Sequence, residues 1–147
     1  MTTAYSGTPL AKKLGIKEGA SVLVIDPPHN YLELIAPLPA DVRIFGLPDG
    51  DPRPSKAEAG GVFDLIHLFT NSRTELFQEL PKGIRKMRPN GSIWVSWYKK
   101  AAKLPTEITE DVIRTAALPL GLVDIKVCAV DENWSGLKLV IRKENRI

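Results

Sequence analysis

The chain predicts an α/β fold, a three-layer sandwich whose mostly parallel sheet is closed by a C-terminal antiparallel hairpin. Three observations carry that expectation. First, four short runs, SVLVI from Ser21, RIF with its two preceding residues (41–45), VFDLIHLF from Val62 and SIWVSWY from Ser92, suit strands buried on both faces. Second, helix signals stand between these runs, and strands alternating with capped helices build a parallel sheet with helices on its two sides. Third, the last apolar runs, 122–130 and 137–142, are separated only by residues 131–136. So short a connection requires an antiparallel pair.

The elements follow in order. Thr8 is a helix N-cap with Pro9 at the first helical position, Leu10 and Leu14 share one face, and Gly15 ends the helix in a left-handed cap with Ile16 beyond it. Lys17, Glu18 and Gly19 turn the chain into the strand Ser21–Ile25. That strand stops at Asp26, which occupies the N-cap of a helix entered through Pro27 and Pro28, with Tyr31, Leu32, Leu34 and Ile35 as its apolar positions. Pro37 and Pro39 terminate it. After 41–45 comes GLPDGDPRPSKAEAGG, residues 46–61, a long loop without periodicity, read as mobile. Ser72 and Glu75 then form an S-x-x-E capping box, and Leu76, Phe77, Leu80, Ile84 and Met87 sit at helical spacing with Pro81 breaking or kinking the helix midway. Pro89-Asn90-Gly91 is a turn before the strand 92–98, and 99–105 is a basic loop. Thr109 caps a helix that opens with Glu110 and Asp111 and ends at Gly121.

The 147 residues, 44% hydrophobic and 25% charged, fit one domain spanning 1–147 with a short N-terminal helix and a sizeable core. A formal charge of +3 suits a solvated surface better than a nucleic-acid partner. Cys128 is the only cysteine, so no intrachain disulfide can form. The opening MTTAYSGTPLAKKLG has no apolar signal-peptide core, and no run is long enough to span a bilayer. A cytoplasmic protein without membrane contact is the expectation. His29, His67 and Cys128 have no metal-ligand spacing, and no P-loop or G-x-S-x-G occurs, so neither a metal nor a catalytic residue is assigned. His67 inside an apolar strand reads as a hydrogen-bonded core histidine, and Cys128 as a buried small hydrophobe. Lys82, Arg85, Lys86 and Arg88 gather at a helix end, where cations are favoured anyway.

The order of elements, the lead-in LGIKEG (from Leu14) to the first strand, and the phrase MRPNGSIWV (from Met87) resemble class I S-adenosylmethionine-dependent methyltransferases. The stretches YSGTPLAKKLGIKEG (from Tyr5), RPNGSIWVSWYK (from Arg88) and GLVDIKVCAVDENWSGLKLVIRK (from Gly121) resemble an uncharacterised bacterial family, many of its members actinobacterial, to which no activity is attached. The resemblance implies a Rossmann-like sheet with strand order 2-1-3-4-6-5, the sixth strand antiparallel. It also implies where a methyltransferase would hold its cofactor. At the glycine-rich turn after the first strand this chain has Asp26-Pro27-Pro28-His29-Asn30, which lacks two N–H donors and the freedom of glycine. Where an acid would hold the ribose, the second strand ends Phe45-Gly46-Leu47, with Asp49 three residues late, and residues 46–61 replace the next unit of the fold.

Parallel strands leave one rim at their carboxyl ends, where open sheets bind ligands. That rim gathers Asp26, His29, Asn30, Asn71, Trp97, Lys99, Asp131 and Trp134, the candidate ligand-binding residues. The function expected is a non-catalytic binding or regulatory module needing no cofactor, with a protein or small molecule as partner. The alternative is a minimal methyltransferase using S-adenosylmethionine.

Overall fold

A computed structural model describes residues 9–47 and 62–145. Their strands are β1 (Ser21–Ile25), β2 (Arg43–Phe45), β3 (Phe63–Phe69), β4 (Met87–Tyr98), β5 (Leu122–Ala129) and β6 (Trp134–Ile141). Their α-helices are α1 (Leu10–Leu14), α2 (Tyr31–Ile35), α3 (Arg73–Lys86) and α4 (Glu110–Ala117). The strands form one sheet in the order β2-β1-β3-β4-β6-β5. β1 to β4 pair parallel, and β6 runs antiparallel to both β4 and β5. Both the hairpin and the strand order match expectation.

Alternation along the strands divides the core in two. On one face Leu23, Ile66, Ile93, Val95 and Leu139 pack beneath Leu76 and Leu80 of α3 and Ile113 of α4. On the other, Val22, Val24, Leu65 and Trp94 pack beneath Leu10 and Leu14 of α1 and Tyr31 and Ile35 of α2. The buried Trp94 indole donates from Nε1 to the Leu14 carbonyl (2.9 Å), tying α1 to the middle of the sheet. Ile16 N–H closes α1 onto the Ala11 carbonyl, as the Gly15 cap requires.

Several local expectations need correction. Pro9 stands at the N-cap of α1 rather than inside the helix, and Thr8 lies outside the described residues. Residues 48–61, most of the expected loop, lie outside them too. α3 runs unbroken through Pro81. The N–H missing there would have met the carbonyl at Phe77, a residue on the exposed side of the helix. Pro89-Asn90-Gly91 is not a turn but a bulge within β4. Phe63 pairs with Met87 and Leu65 with Ser92, so residues 88–91 stand opposite Asp64 alone. A Cβ on Gly91 would lie 2.8 Å from the Asp64 carbonyl oxygen, which explains the glycine. His67 is the core histidine expected of it, fully buried.

A candidate site on the carboxyl rim of the sheet

The rim begins where β1 ends. Asp26 has φ +54, an unusual backbone for a residue with a side chain, and it swings the chain sideways into Pro27 and Pro28. A turn closed by Tyr31 N–H on the Pro28 carbonyl follows, so α2 starts only at Tyr31, with Asn30 as its N-cap. Asp26 is therefore not the helix cap: the left-handed turn and two prolines consume the residues between.

The Asp26 carboxylate instead meets Glu75 from the first turn of α3. Their hydrogen bond, followed by burial, holds the Glu75 carboxyl above the usual glutamate range, and the charges of Asp26 and Glu79 push the same way. Thr70 opposes this by donating from Oγ1 to Glu75 Oε1 (2.5 Å). A neighbouring carboxylate disfavours the charged form, so Glu75 gives up its proton less readily than an isolated glutamate. Ser72 does cap α3, accepting Glu75 N–H at 3.2 Å, yet the Glu75 side chain is committed to Asp26 and Thr70 rather than to the capping box.

Beneath the rim, α2 is anchored by a buried polar chain. His67 Nδ1 lies 3.0 Å from the Tyr31 hydroxyl and Nε2 lies 2.7 Å from Ser96 Oγ. A neutral imidazole has one donor and one acceptor, so one hydroxyl accepts from it and the other donates to it. Burial lowers the His67 pKa to about 3 and raises that of Tyr31 beyond the phenol range, so both are uncharged at neutral pH.

Between β1, α2 and the end of β2 lies a cavity of about 750 Å³, lined by Asp26, Pro28, His29, Asn30, Glu33 and Gly46 among others. Gly46, with φ +95, passes so close to β1 that a Cβ would stand 2.1 Å from the Val24 carbonyl oxygen. Only glycine fits this wall of the cavity.

The other rim residues separate from these three. Trp97 and Lys99 line a second cavity of about 910 Å³ with Leu104, Thr109, Arg114 and Ser135, on the face covered by α3 and α4. Trp97 is itself buried in that core. Trp134 packs on the opposite face, edge-on to Phe69 with centroids 4.9 Å apart, and lies 4.5 Å from Tyr98. Asn71 Oδ1 accepts the Tyr98 N–H (2.8 Å), and Asp131 Oδ1 accepts the N–H groups of Asn133 and Trp134 (2.8 Å each), which shapes the hairpin turn. Asp26, His29 and Asn30 thus share one cavity, Trp97 and Lys99 another, while Asn71, Asp131 and Trp134 hold local structure. Gly46 lines the first cavity, and Glu75 is tied to Asp26 and held by Thr70, though none of the three stands out in the sequence as a site residue. The S-x-x-E spacing marks Glu75, but capping alone accounts for that spacing in the sequence.

Among the described residues no three His, Cys, Asp or Glu side chains converge as a metal site. The turn after β1 fits the carboxylate of S-adenosylmethionine poorly. Pro27 and Pro28 present no N–H groups, and Asp26 and Glu75 add negative character where donors would be needed. Asp49 lies outside the described residues.

No protein-family model matches the chain, and no curated protein matches it in sequence. Solved structures do match in shape. A SAM-dependent methyltransferase from Aquifex aeolicus superposes with a TM-score of 0.67 at 14% identity, covering 93% of this chain and 90% of the other. A precorrin-6y C5,15-methyltransferase from Geobacter metallireducens gives 0.60 at 10%, covering 90% and 85%. A TehB-like SAM-dependent methyltransferase from Corynebacterium glutamicum gives 0.57 at 12%, covering 90% and 85%. At such identities the likeness is one of architecture, since one fold carries many functions. The chain has the α/β fold of class I methyltransferases, with its six-stranded sheet closed by the antiparallel β4-β6-β5 arrangement.

Proposed function

We propose that this protein is a binding module on a methyltransferase-like fold, and that the cavity beside Asp26 takes a small ligand bearing an ammonium group. The observation that carries this reading is the Asp26–Glu75 carboxyl pair at the mouth of β1, beside two prolines that offer no N–H to an anion. A cation placed there relieves the repulsion between the two carboxylates. The same features speak against an anionic group in that position. Regulation through a protein partner, and a place in the cytoplasm, are compatible with this proposal. No helix among the described residues is long and apolar enough to cross a membrane.

The second reading is a minimal S-adenosylmethionine-dependent methyltransferase, and the comparisons support it better than they support a non-catalytic module. The matched proteins are methyltransferases by name, and the cavity stands at the carboxyl ends of β1 and β2, where open parallel sheets bind ligands.

Thermal melts separate the two. A ligand present at one hundred times its dissociation constant stabilises a fold by about 2.7 kcal/mol. Putrescine at millimolar concentration should raise the melting temperature of the wild-type protein and leave Asp26→Asn unmoved, while S-adenosylmethionine and S-adenosylhomocysteine leave both unmoved. A clear rise with either adenosyl compound would establish the methyltransferase reading instead.

A further inference from the structure

At the opposite edge of the sheet, the amino ends of β1, β3 and β4, lies a cavity of about 570 Å³. Its walls include Lys17, Arg88, Asn90, Ser92 and Lys138, with Gly15, Gly19 and Gly91 keeping the backbone bare of side chains. Lys138 of β6 stands directly opposite Lys126 of β5 in the register. Like charges in that position repel and destabilise a strand pair. The Lys138 ammonium reaches over the end of α1, 3.5 Å from where a Cβ on Gly15 would lie, so its head sits at the cavity wall.

The surrounding charges do not neutralise this group. Asp64 lines the cavity but is already engaged, accepting Ser21 N–H (2.9 Å) and Arg88 Nε (3.0 Å). Glu18 lies in the exposed turn beside Lys17. Lys126 donates to the Lys13 carbonyl at 3.3 Å, a contact with no countercharge. Among the described residues no carboxylate forms an ion pair with Lys17, Lys126 or Lys138. Burial, then the nearby charges of Lys126 and Lys17, hold the Lys138 ammonium below the usual lysine range.

We infer that this cavity is a second binding site, for the phosphate group of a small molecule, gripped by Lys138 and Lys17 with Lys126 adding to the field. Lysine serves as a point charge for phosphate, and Ser92 and Asn90 supply neutral donors beside it. A bound phosphate supplies the missing countercharge and turns the Lys126–Lys138 opposition from a cost into a contact. A small molecule fits better than nucleic acid, because the formal charge is only +3 and the lysines gather at one cavity rather than along a basic stripe.

The test uses the full chain with inorganic pyrophosphate as probe, at ionic strength held constant with sodium chloride. Pyrophosphate should raise the wild-type melting temperature saturably, and Lys138→Met should bind it at least about tenfold more weakly, the loss of one charge-assisted hydrogen bond. Lys138→Met without pyrophosphate should melt no lower than wild type, since the substitution removes like-charge repulsion. Lys138→Arg should retain binding. Lys17→Ala, on an exposed turn, should show the same weakening and serves where Lys138→Met does not fold. Equal stabilisation of wild type and both neutral variants, or none of any, would overturn the site. So would a short single-stranded RNA that binds more tightly than pyrophosphate with the same lysine dependence, since this would make the surface one for nucleic acid.

Discussion

At the scale of single residues, two ionisable groups tie the fold to pH in opposite directions. His67 is neutral in the folded protein, with its pKa lowered by burial to about 3, but takes up a proton near 6.5 once unfolded. The unfolded state therefore binds more protons between those values, and stability rises with pH across that window and is flat above it. Its contribution to the loss on acidification should approach about 1.4 kcal/mol per pH unit below 6.5. His67→Gln, which keeps one donor and one acceptor for Tyr31 and Ser96, should be less stable at pH 7 by about 1–3 kcal/mol, and its urea midpoint should fall less steeply on acidification. Glu75 has the other sign. Its folded pKa is raised, so the stability it confers is full below the ordinary glutamate value of 4.5 and is lost as pH rises through the raised value. Glu75→Gln should therefore match or exceed wild-type stability at neutral pH and lose that advantage below pH 4.5, as urea melts at the two pH values would read.

At the scale of elements, the closing hairpin offers the sharpest choice between packing and binding. Trp134 opens β6 at the rim, yet its ring is held between Phe69 and Tyr98. Trp134→Ala should cost about 2–4 kcal/mol in chemical denaturation, less than the loss of a fully buried indole because the side chain is only half-buried. An unchanged stability together with lost ligand binding would make it a binding anchor instead. The elements were legible where one residue decides the outcome. Ser72 and Thr109 do cap α3 and α4, and Gly121 at φ +85 ends the turn that follows α4. They were less legible where tertiary pairing overrides local chemistry. Pro89-Asn90-Gly91 has the composition of a turn, but its pairing around Asp64 absorbs it into β4. Asp26 has the composition of a cap, but the backbone needed to pass two prolines moves the helix start to Tyr31.

At the scale of the whole molecule, the closing hairpin was legible because its connection is so short, and the strand order followed from the resemblance to class I methyltransferases. The partition of the rim was not. Neighbouring residues along a strand point to opposite faces, so Trp97 and Trp134 pack into different halves of the core, and a list of rim residues cannot say which of them share a cavity. The Asp26–Glu75 contact joins positions far apart in sequence, and the Lys17–Lys138 grouping joins positions still further apart; spacing carries no trace of either. The position of β6 has a consequence for how the protein is made. β6 follows β5 in the chain but lies inside the sheet, between β4 and β5. During synthesis β5 emerges with no edge to join, and the backbone edge of β4 from Ile93 to Tyr98 stays unpaired until residues 134–141 leave the ribosome. Most of the chain must wait, partly collapsed, for one late strand to slot between two earlier ones. Nascent chains stalled after residue 133 should therefore be cleaved readily by protease, and chains extended by a linker long enough to free residue 141 should resist it.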